Sequence, residues 1–243
     1  MSAHQQEQPV AVGEDAPIFE VMQTMRAMRR LKPDPVPDEL LSKLVQAAVW
    51  APSGGNAQAY DFVVVTDRDQ MGKLADLWRR SHDTYISSVG KRGAATMTED
   101  EYQRLLGTLR YQSDHFHETP AIIVPCYRSP VRVDPGTLLG FRRLGALPFL
   151  RMLARGTQIG RVTEAASIYP GVQNMLLAAR ALGLAANITT WHMFLEPQWK
   201  AVLGIPRPVH TYAVIPVGWP LGRMGPVRRR PAAEAIHRDR WRV

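Results

Sequence analysis

Apolar positions recur along this chain in two rhythms, and the switches between them outline its elements. Ile18, Val21, Met22 and Met25 repeat at helical spacing before Pro33-Asp34-Pro35, so the first helix is expected to carry Arg26, Arg29 and Arg30 at its C-terminal end. Leu40, Leu41, Leu44, Val45 and Ala48 repeat the pattern behind Pro37-Asp38-Glu39, where proline and acidic side chains suit a first helical turn. Tyr60 to Val65 is β-branched and short, the mark of a strand; Gln70 to Arg80 follows as a helix behind Asp67-Arg68-Asp69. Ser81 to His117 is polar, with one helix through Tyr102, Leu105, Leu106 and Leu109, and is expected to run over the surface as a lid. Pro120 to Pro125 is a proline-flanked apolar run, consistent with a buried strand, and Ser129 to Gly160 reads as irregular. Tyr169 to Leu182 is a helix whose Val172, Leu176 and Leu177 face the core, stopped by Gly183. Extended chain from Ala185 to Trp191, a short helix from Pro197 to Leu203 and an alternating strand from Val209 to Val217 follow, before Gly218 to Pro220 turns the chain out.

Composition narrows the picture. A chain of 243 residues, 45% hydrophobic and 21% charged, is long enough for one domain with a substantial core. The pattern divides it into a mobile arm at 1–16, a single domain at 17–224 in which 81–160 is a variable excursion, and a basic arm at 225–243. Cys126 is the only cysteine, so neither an internal disulfide framework nor a cysteine metal cluster is available. His115 and His117 lack a third ligand, so no metal is expected. The N-terminus shows no secretory pattern, and Thr137 to Leu153 is interrupted by Arg142, Arg143, Pro148 and Arg151, so the chain is expected in a reducing cytoplasm without a membrane span. A formal charge of +8 invites a nucleic-acid reading, but the cations are scattered except between Arg223 and Arg242.

The stretch between the second helix and the first strand, Ala51 to Tyr60, carries the densest candidate chemistry. Pro52 blocks helix continuation, Gly54 and Gly55 permit close backbone approach, and Ser53, Asn56 and Gln58 offer donors and acceptors to a flat heteroaromatic ligand. No glycine spacing of dinucleotide or P-loop type is present, and Ser53 lacks the strand-nucleophile-helix order of a hydrolase.

Four segments in order, Met25-Arg26-Ala27-Met28-Arg29, Ala51 to Tyr60, Ala179 to Thr190, and Arg228-Arg229-Arg230-Pro231, make the chain resemble the nitroreductase-like FMN-dependent oxidoreductases. The Thr189-Thr190 pair is most similar to the branch that includes iodotyrosine deiodinases. The resemblance implies an α+β fold, with a central, mostly antiparallel sheet flanked by helices, in an intertwined homodimer whose C-terminal arms wrap the partner. It implies FMN as cofactor. Arg26 and Arg229, with Arg228 and the Ala27 backbone, would hold its phosphate, since guanidinium groups match phosphate oxygens. Arg29 would meet the N1/O2 edge of the ring, where reduction places charge. Pro52, Ser53, Gly54 and Asn56 would contact ring or ribityl chain, and Ile188, Thr189 and Thr190 would lie beside N5, leaving Thr190 and Arg29 as the catalytic pair. The chain departs from the family pattern at Met25, Ala27 and Ala59-Tyr60, where relatives commonly carry Arg, Ser and Pro-Trp.

The activity so implied is reduction of an electrophilic small molecule, such as a nitroaromatic, quinone or enone, by NADH or NADPH through flavin N5. Two alternatives stand beside it: a specialised FMN protein of the same fold performing reductive dehalogenation or flavin remodelling, and a non-catalytic flavin- or nucleic-acid-binding module.

Overall fold

In the computed structural model, residues 11–88, 97–129 and 135–241 are described. Strand β1 (Tyr60–Val65) pairs along its whole length with β2 (Ala121–Tyr127), and β2 pairs on its other side with β4 (His210–Thr211) and β5 (Ile215–Gly218), which in turn carries β3 (Ala185–Ala186). Every one of these pairings is antiparallel.

β2 is buried from end to end, and its alternation divides the core. Ala121, Ile123 and Tyr127 pack on one side with α2 (Asp38–Val49) and α6 (Ala146–Ala181). Ile122, Val124 and Cys126 pack on the other with α3 (Arg68–Ser88), Phe116 and Trp199 of α7 (Glu196–Leu203). Successive side chains of a strand point to opposite faces, so one central strand serves two helical layers. The α2 and α6 backbones approach so closely that Gly171 has no room for a side chain: a Cβ there would lie 2.7 Å from the Ala48 carbonyl oxygen.

Several elements differ from the sequence pattern. Helix α1 (Ile18–Thr24) stops before the arginines, and Met25 is already extended. The reason is tertiary: Leu31 bridges to Pro220, the Leu221 amide donates to the Arg30 carbonyl at 3.1 Å, and the Lys32 amide donates to Trp219 at 2.8 Å. Arg26, Arg29 and Arg30 therefore ride on irregular chain rather than on a helix end. α3 runs on to Ser88, burying Ser81 and His82, so the start of the expected lid belongs to the core. The lid's own helix is α4 (Glu99–Asp114), opened by a capping box in which Thr98 and Glu101 satisfy each other's backbone donors. Residues 89–96 of the excursion lie outside the described residues.

The stretch expected to be irregular is largely helical. α5 (Pro135–Gly140) and a 3₁₀ turn (Phe141–Leu144) lead into α6, a 36-residue helix that begins well before Tyr169 and continues through Pro170. Arginines and glycines masked its periodicity, because the N-terminal half has no described layer to pack against: Leu147, Leu150, Leu153 and Val162 are all exposed. At its other end α6 closes as anticipated, with Gly183 at φ 78° and the Leu184 amide reaching back to the Ala179 carbonyl at 2.8 Å. The strand expected over Val209 to Val217 is split. Between β4 and β5 the register against β2 slips by one residue, which marks a bulge around Tyr212 to Val214.

The ends also fold back. Residues 1–10 of the expected mobile arm lie outside the described residues, but Ala11 onward is docked: the Gly13 amide donates to the Ala181 carbonyl at 2.7 Å, and Arg180 Nη1 donates to the Ala11 carbonyl at 2.9 Å. At the start of the C-terminal arm the Val227 amide donates to the Gln23 carbonyl of the same chain at 2.7 Å.

Candidate functional site

The predicted site residues fall into three clusters. The first joins the two ends of the chain. Because Val227 is tied to Gln23, the tail lies along the segment after α1, and Arg26, Ala27, Pro226, Val227, Arg228 and Arg229 together line a cavity of about 710 Å³. No carboxylate among the described residues lines it. Arg26 and Arg229 are exposed, with Arg229 Nη1 steadied by the Arg228 carbonyl at 2.8 Å. A carboxylate-free cavity with three guanidinium groups on its wall suits a small polyanion. The tail thus brings Arg229 to the same cavity as Arg26 of its own chain.

Arg29 lies three residues along the chain from Arg26. It lines a second cavity of about 190 Å³ with Trp78, Leu109, Gln112, Asn187 and the run Ile188 to Trp191. Burial lowers the pKa of its guanidinium below the ordinary value. The backbone on the opposite wall is well held: the Thr189 amide donates to the Val214 carbonyl at 3.0 Å and the Val214 amide returns the bond at 2.8 Å. That bridge continues the β3–β5 register past the end of β3. Thr190 follows with its side chain exposed, and its carbonyl accepts from the Met193 amide at 3.0 Å. Trp191 then stacks between Trp78 and Tyr85, with ring centroids 5.2 and 4.6 Å away, giving the cavity an aromatic wall.

The third cluster is the loop after α2. The Ser53 hydroxyl accepts from the Gln58 amide at 3.1 Å, and the Gly54 amide donates to Ser167 Oγ of α6 at 3.1 Å. Gly55 has φ 59° and Asn56 φ 52°, a left-handed turn that the glycine adopts freely and asparagine tolerates. Tyr60 closes the loop by donating to the Val49 carbonyl at 3.2 Å. Pro52, Gly54 and Asn56 are exposed, and none of Pro52, Ser53, Gly54 or Asn56 lines either arginine-bearing cavity. Within one chain, then, Arg26, Ala27, Arg228 and Arg229 converge, as do Arg29, Ile188, Thr189 and Thr190, while the loop stands apart on the α6 side.

Sequence reasoning missed Asn187 and Gln112. Both are buried, and Gln112 Nε2 donates to Asn187 Oδ1 at 3.2 Å between α4 and the end of β3. An asparagine inside the apolar run Leu184 to Ile188 was the available signal. His115 Nδ1 meets the Tyr111 carbonyl at 2.9 Å, and among the described residues no group of three or more His, Cys, Asp or Glu side chains is placed to hold a metal. No described helix is long and apolar enough to cross a membrane.

Known proteins share this architecture. A 5,6-dimethylbenzimidazole synthase from Rhodospirillum rubrum is 27% identical over 221 residues, covering 87% of this chain and 89% of its own. A crystal structure of an oxidised iodotyrosine deiodinase bound to FMN and 3-iodo-L-tyrosine superposes with a TM-score of 0.63 at 19% identity, over 93% of this chain and 100% of its own. An NADPH:FMN oxidoreductase from Vibrio harveyi in complex with NAD⁺ gives 0.61 at 17%, over 93% and 78%. The model of the Nitroreductase family matches residues 23–219, which takes in Arg26, Arg29, the loop after α2 and the Thr189-Thr190 pair, and the chain belongs to that family.

Proposed function

We propose that the chain is an FMN-dependent oxidoreductase that takes hydride from NADH or NADPH and passes it to an electrophilic small molecule such as a nitroaromatic, quinone or enone. One observation carries the reading. Arg26 and the tail arginines surround a carboxylate-free cavity, while Arg29, a few residues along the chain, faces the Ile188 to Trp191 backbone in a second. The two cavities thus offer a dianion site and a planar-ring site, joined by the short run of chain between Arg26 and Arg29. The iodotyrosine deiodinase of the same fold is described with FMN, and the Vibrio harveyi enzyme with NAD⁺.

Bound FMN supplies a hydride acceptor and donor at N5, so the protein need only bind, orient and polarise. Arg26, Arg228 and Arg229 neutralise the phosphate. Arg29 would place fixed positive charge beside the edge that gains negative charge on reduction, and the Thr189 backbone, pinned by Val214, would position Thr190 at the reacting edge. Pro52, Ser53, Gly54 and Asn56, which line neither arginine-bearing cavity of their own chain, would reach the ring from a second copy. The exposed apolar residues along the N-terminal half of α6 offer a surface for that homodimer.

The test is reduction of the FMN-loaded protein by each nicotinamide in a stopped-flow instrument, then reoxidation by a panel of acceptors. Bleaching by at least one nicotinamide and rapid recovery with a nitroaromatic, quinone or enone is the expected result. Failure of both nicotinamides to bleach the protein defeats the reading. A second reading, dehalogenation or flavin remodelling, is favoured by the 5,6-dimethylbenzimidazole synthase and iodotyrosine deiodinase among the relatives. Deiodination of iodotyrosine, or cofactor loss on aeration of the reduced protein, with inert conventional acceptors would select it.

A further inference from the structure

The cavity that holds Arg29 contains a second donor. Asn187 is 2% exposed and Gln112 5% exposed, and each carries an amide that burial without a partner would penalise. They solve part of that problem together: Gln112 Nε2 donates to Asn187 Oδ1 at 3.2 Å. The bond fixes which end of the Asn187 amide is used up. Its oxygen faces α4, and its Nδ2 is left buried without a hydrogen-bond partner among the described residues. Both amides line the same cavity as Arg29, Thr189, Thr190 and Trp191. A buried, orientation-locked N–H beside a guanidinium and an aromatic wall is a site for the oxygen- or nitrogen-bearing edge of a planar ring.

Resting on the FMN reading above, we propose that Asn187 is a cofactor-binding residue that donates from Nδ2 to the pyrimidine edge of the flavin beside Arg29, with Gln112 as the positioning residue that holds its amide. The edge gains negative charge on reduction, and a hydrogen bond to a charged group is stronger than one to a neutral group. Asn187 therefore binds reduced flavin more tightly than oxidised flavin and raises the two-electron midpoint potential. Gln112 sits on α4, so the position of that helix is coupled to the donor.

The measurements are the midpoint potential of the FMN-loaded chain by dye equilibration, the FMN dissociation constant by fluorescence quenching, and the melting temperature, for wild type, Asn187→Leu and Asn187→Asp. Asn187→Leu removes the donor, and binding of the reduced cofactor is expected to weaken about tenfold relative to the oxidised, a fall of about 30 mV for a two-electron couple. Asn187→Asp is isosteric and still accepts from Gln112 but turns an oxygen toward the ring, so its potential falls at least as far. It also supplies the answer if the leucine variant does not fold. Wild-type potentials in the variants that hold FMN overturn the proposal and leave the two amides as a structural link between α4 and β3, whatever happens to the melting temperature. Wild-type protein that takes up no FMN defeats instead the parent reading, and this proposal with it.

Discussion

Replacing Gly171 by alanine tests whether the α2–α6 contact is as close as the structure has it. A helix-interior glycine normally gains about 1 kcal/mol on becoming alanine. Here the new Cβ would sit 2.7 Å from the Ala48 carbonyl oxygen, about 0.7 Å inside the 3.4 Å at which ordinary contact begins. The obstacle is backbone and cannot rotate away, so α2 must move or the helices must part. Overpacking of this kind costs about 1–3 kcal/mol. Set against the propensity gain, a net loss of about 0–2 kcal/mol is expected, equivalent to a drop in Tm of up to roughly 8 °C for a chain of this size. Gly107 in α4 is the control: a Cβ there meets nothing within 4 Å, so Gly107→Ala should stabilise by roughly 0.5–1 kcal/mol. Urea unfolding of the two variants beside wild type reads the difference. The effect should also reach the loop, because Ser167, which accepts from the Gly54 amide, lies one turn before Gly171 on the same face of α6. Gly171→Ala should therefore weaken FMN binding as well as stability. A variant that moves in the same direction and by as much as Gly107→Ala refutes the close approach.

His192 is fully buried, and burial depresses its pKa from 6.5 to about 4, so the folded protein refuses a proton that the unfolded chain accepts. Stability should fall as pH drops from about 6.5 to about 4, by on the order of 3 kcal/mol, and His192→Asn should flatten that limb of a denaturation-versus-pH curve. Arg180, 2% exposed, donates from Nε to Thr24 Oγ1 at 2.7 Å and from Nη1 to the Ala11 carbonyl at 2.9 Å. Arg180→Ala leaves those acceptors buried and should cost roughly 1–3 kcal/mol, with faster amide exchange in residues 11–24 as the local signature. Thr98→Ala removes the half of the α4 capping box in which Thr98 Oγ1 accepts from the Glu101 amide, leaves the Thr98 amide donating to the Glu101 carboxylate, and should cost about 1 kcal/mol in urea unfolding.

Where the apolar pattern has one meaning, it was legible. Leu40 to Ala48, Tyr60 to Val65 and Pro120 to Pro125 mark α2, β1 and β2 because each buries a face at helical or strand spacing. Gly183 marks the end of α6 for a local reason, a backbone conformation that glycine adopts freely. The misjudged stretches were those whose structure is decided by distant partners. Nothing within Met25 to Leu31 says that it will run beside Trp219 to Leu221, and that pairing overrides its helical spacing. The N-terminal half of α6 shows the reverse case: it is helical, yet Leu147, Leu150 and Leu153 face outward, so no buried stripe announces it. The site divides in the same way. Arg26, Arg29 and the Thr189-Thr190 pair stand in motifs that can be read locally. The return of Arg228 and Arg229 to their own chain's Arg26 depends on the Val227–Gln23 bond, and the Asn187–Gln112 pair depends on α4 meeting the end of β3.

The central claim is that guanidinium groups from both ends of the polypeptide hold one phosphorylated ring. Its most direct test is a comparison of FMN with riboflavin, which differ only in the phosphate, by fluorescence titration of the full-length protein and of Arg26→Ala and Arg229→Ala. The account predicts that wild type binds FMN at least tenfold more tightly than riboflavin and that each substitution weakens FMN binding while leaving riboflavin binding nearly unchanged. Equal affinity of wild type for the two ligands, or an FMN affinity indifferent to both substitutions, would contradict it.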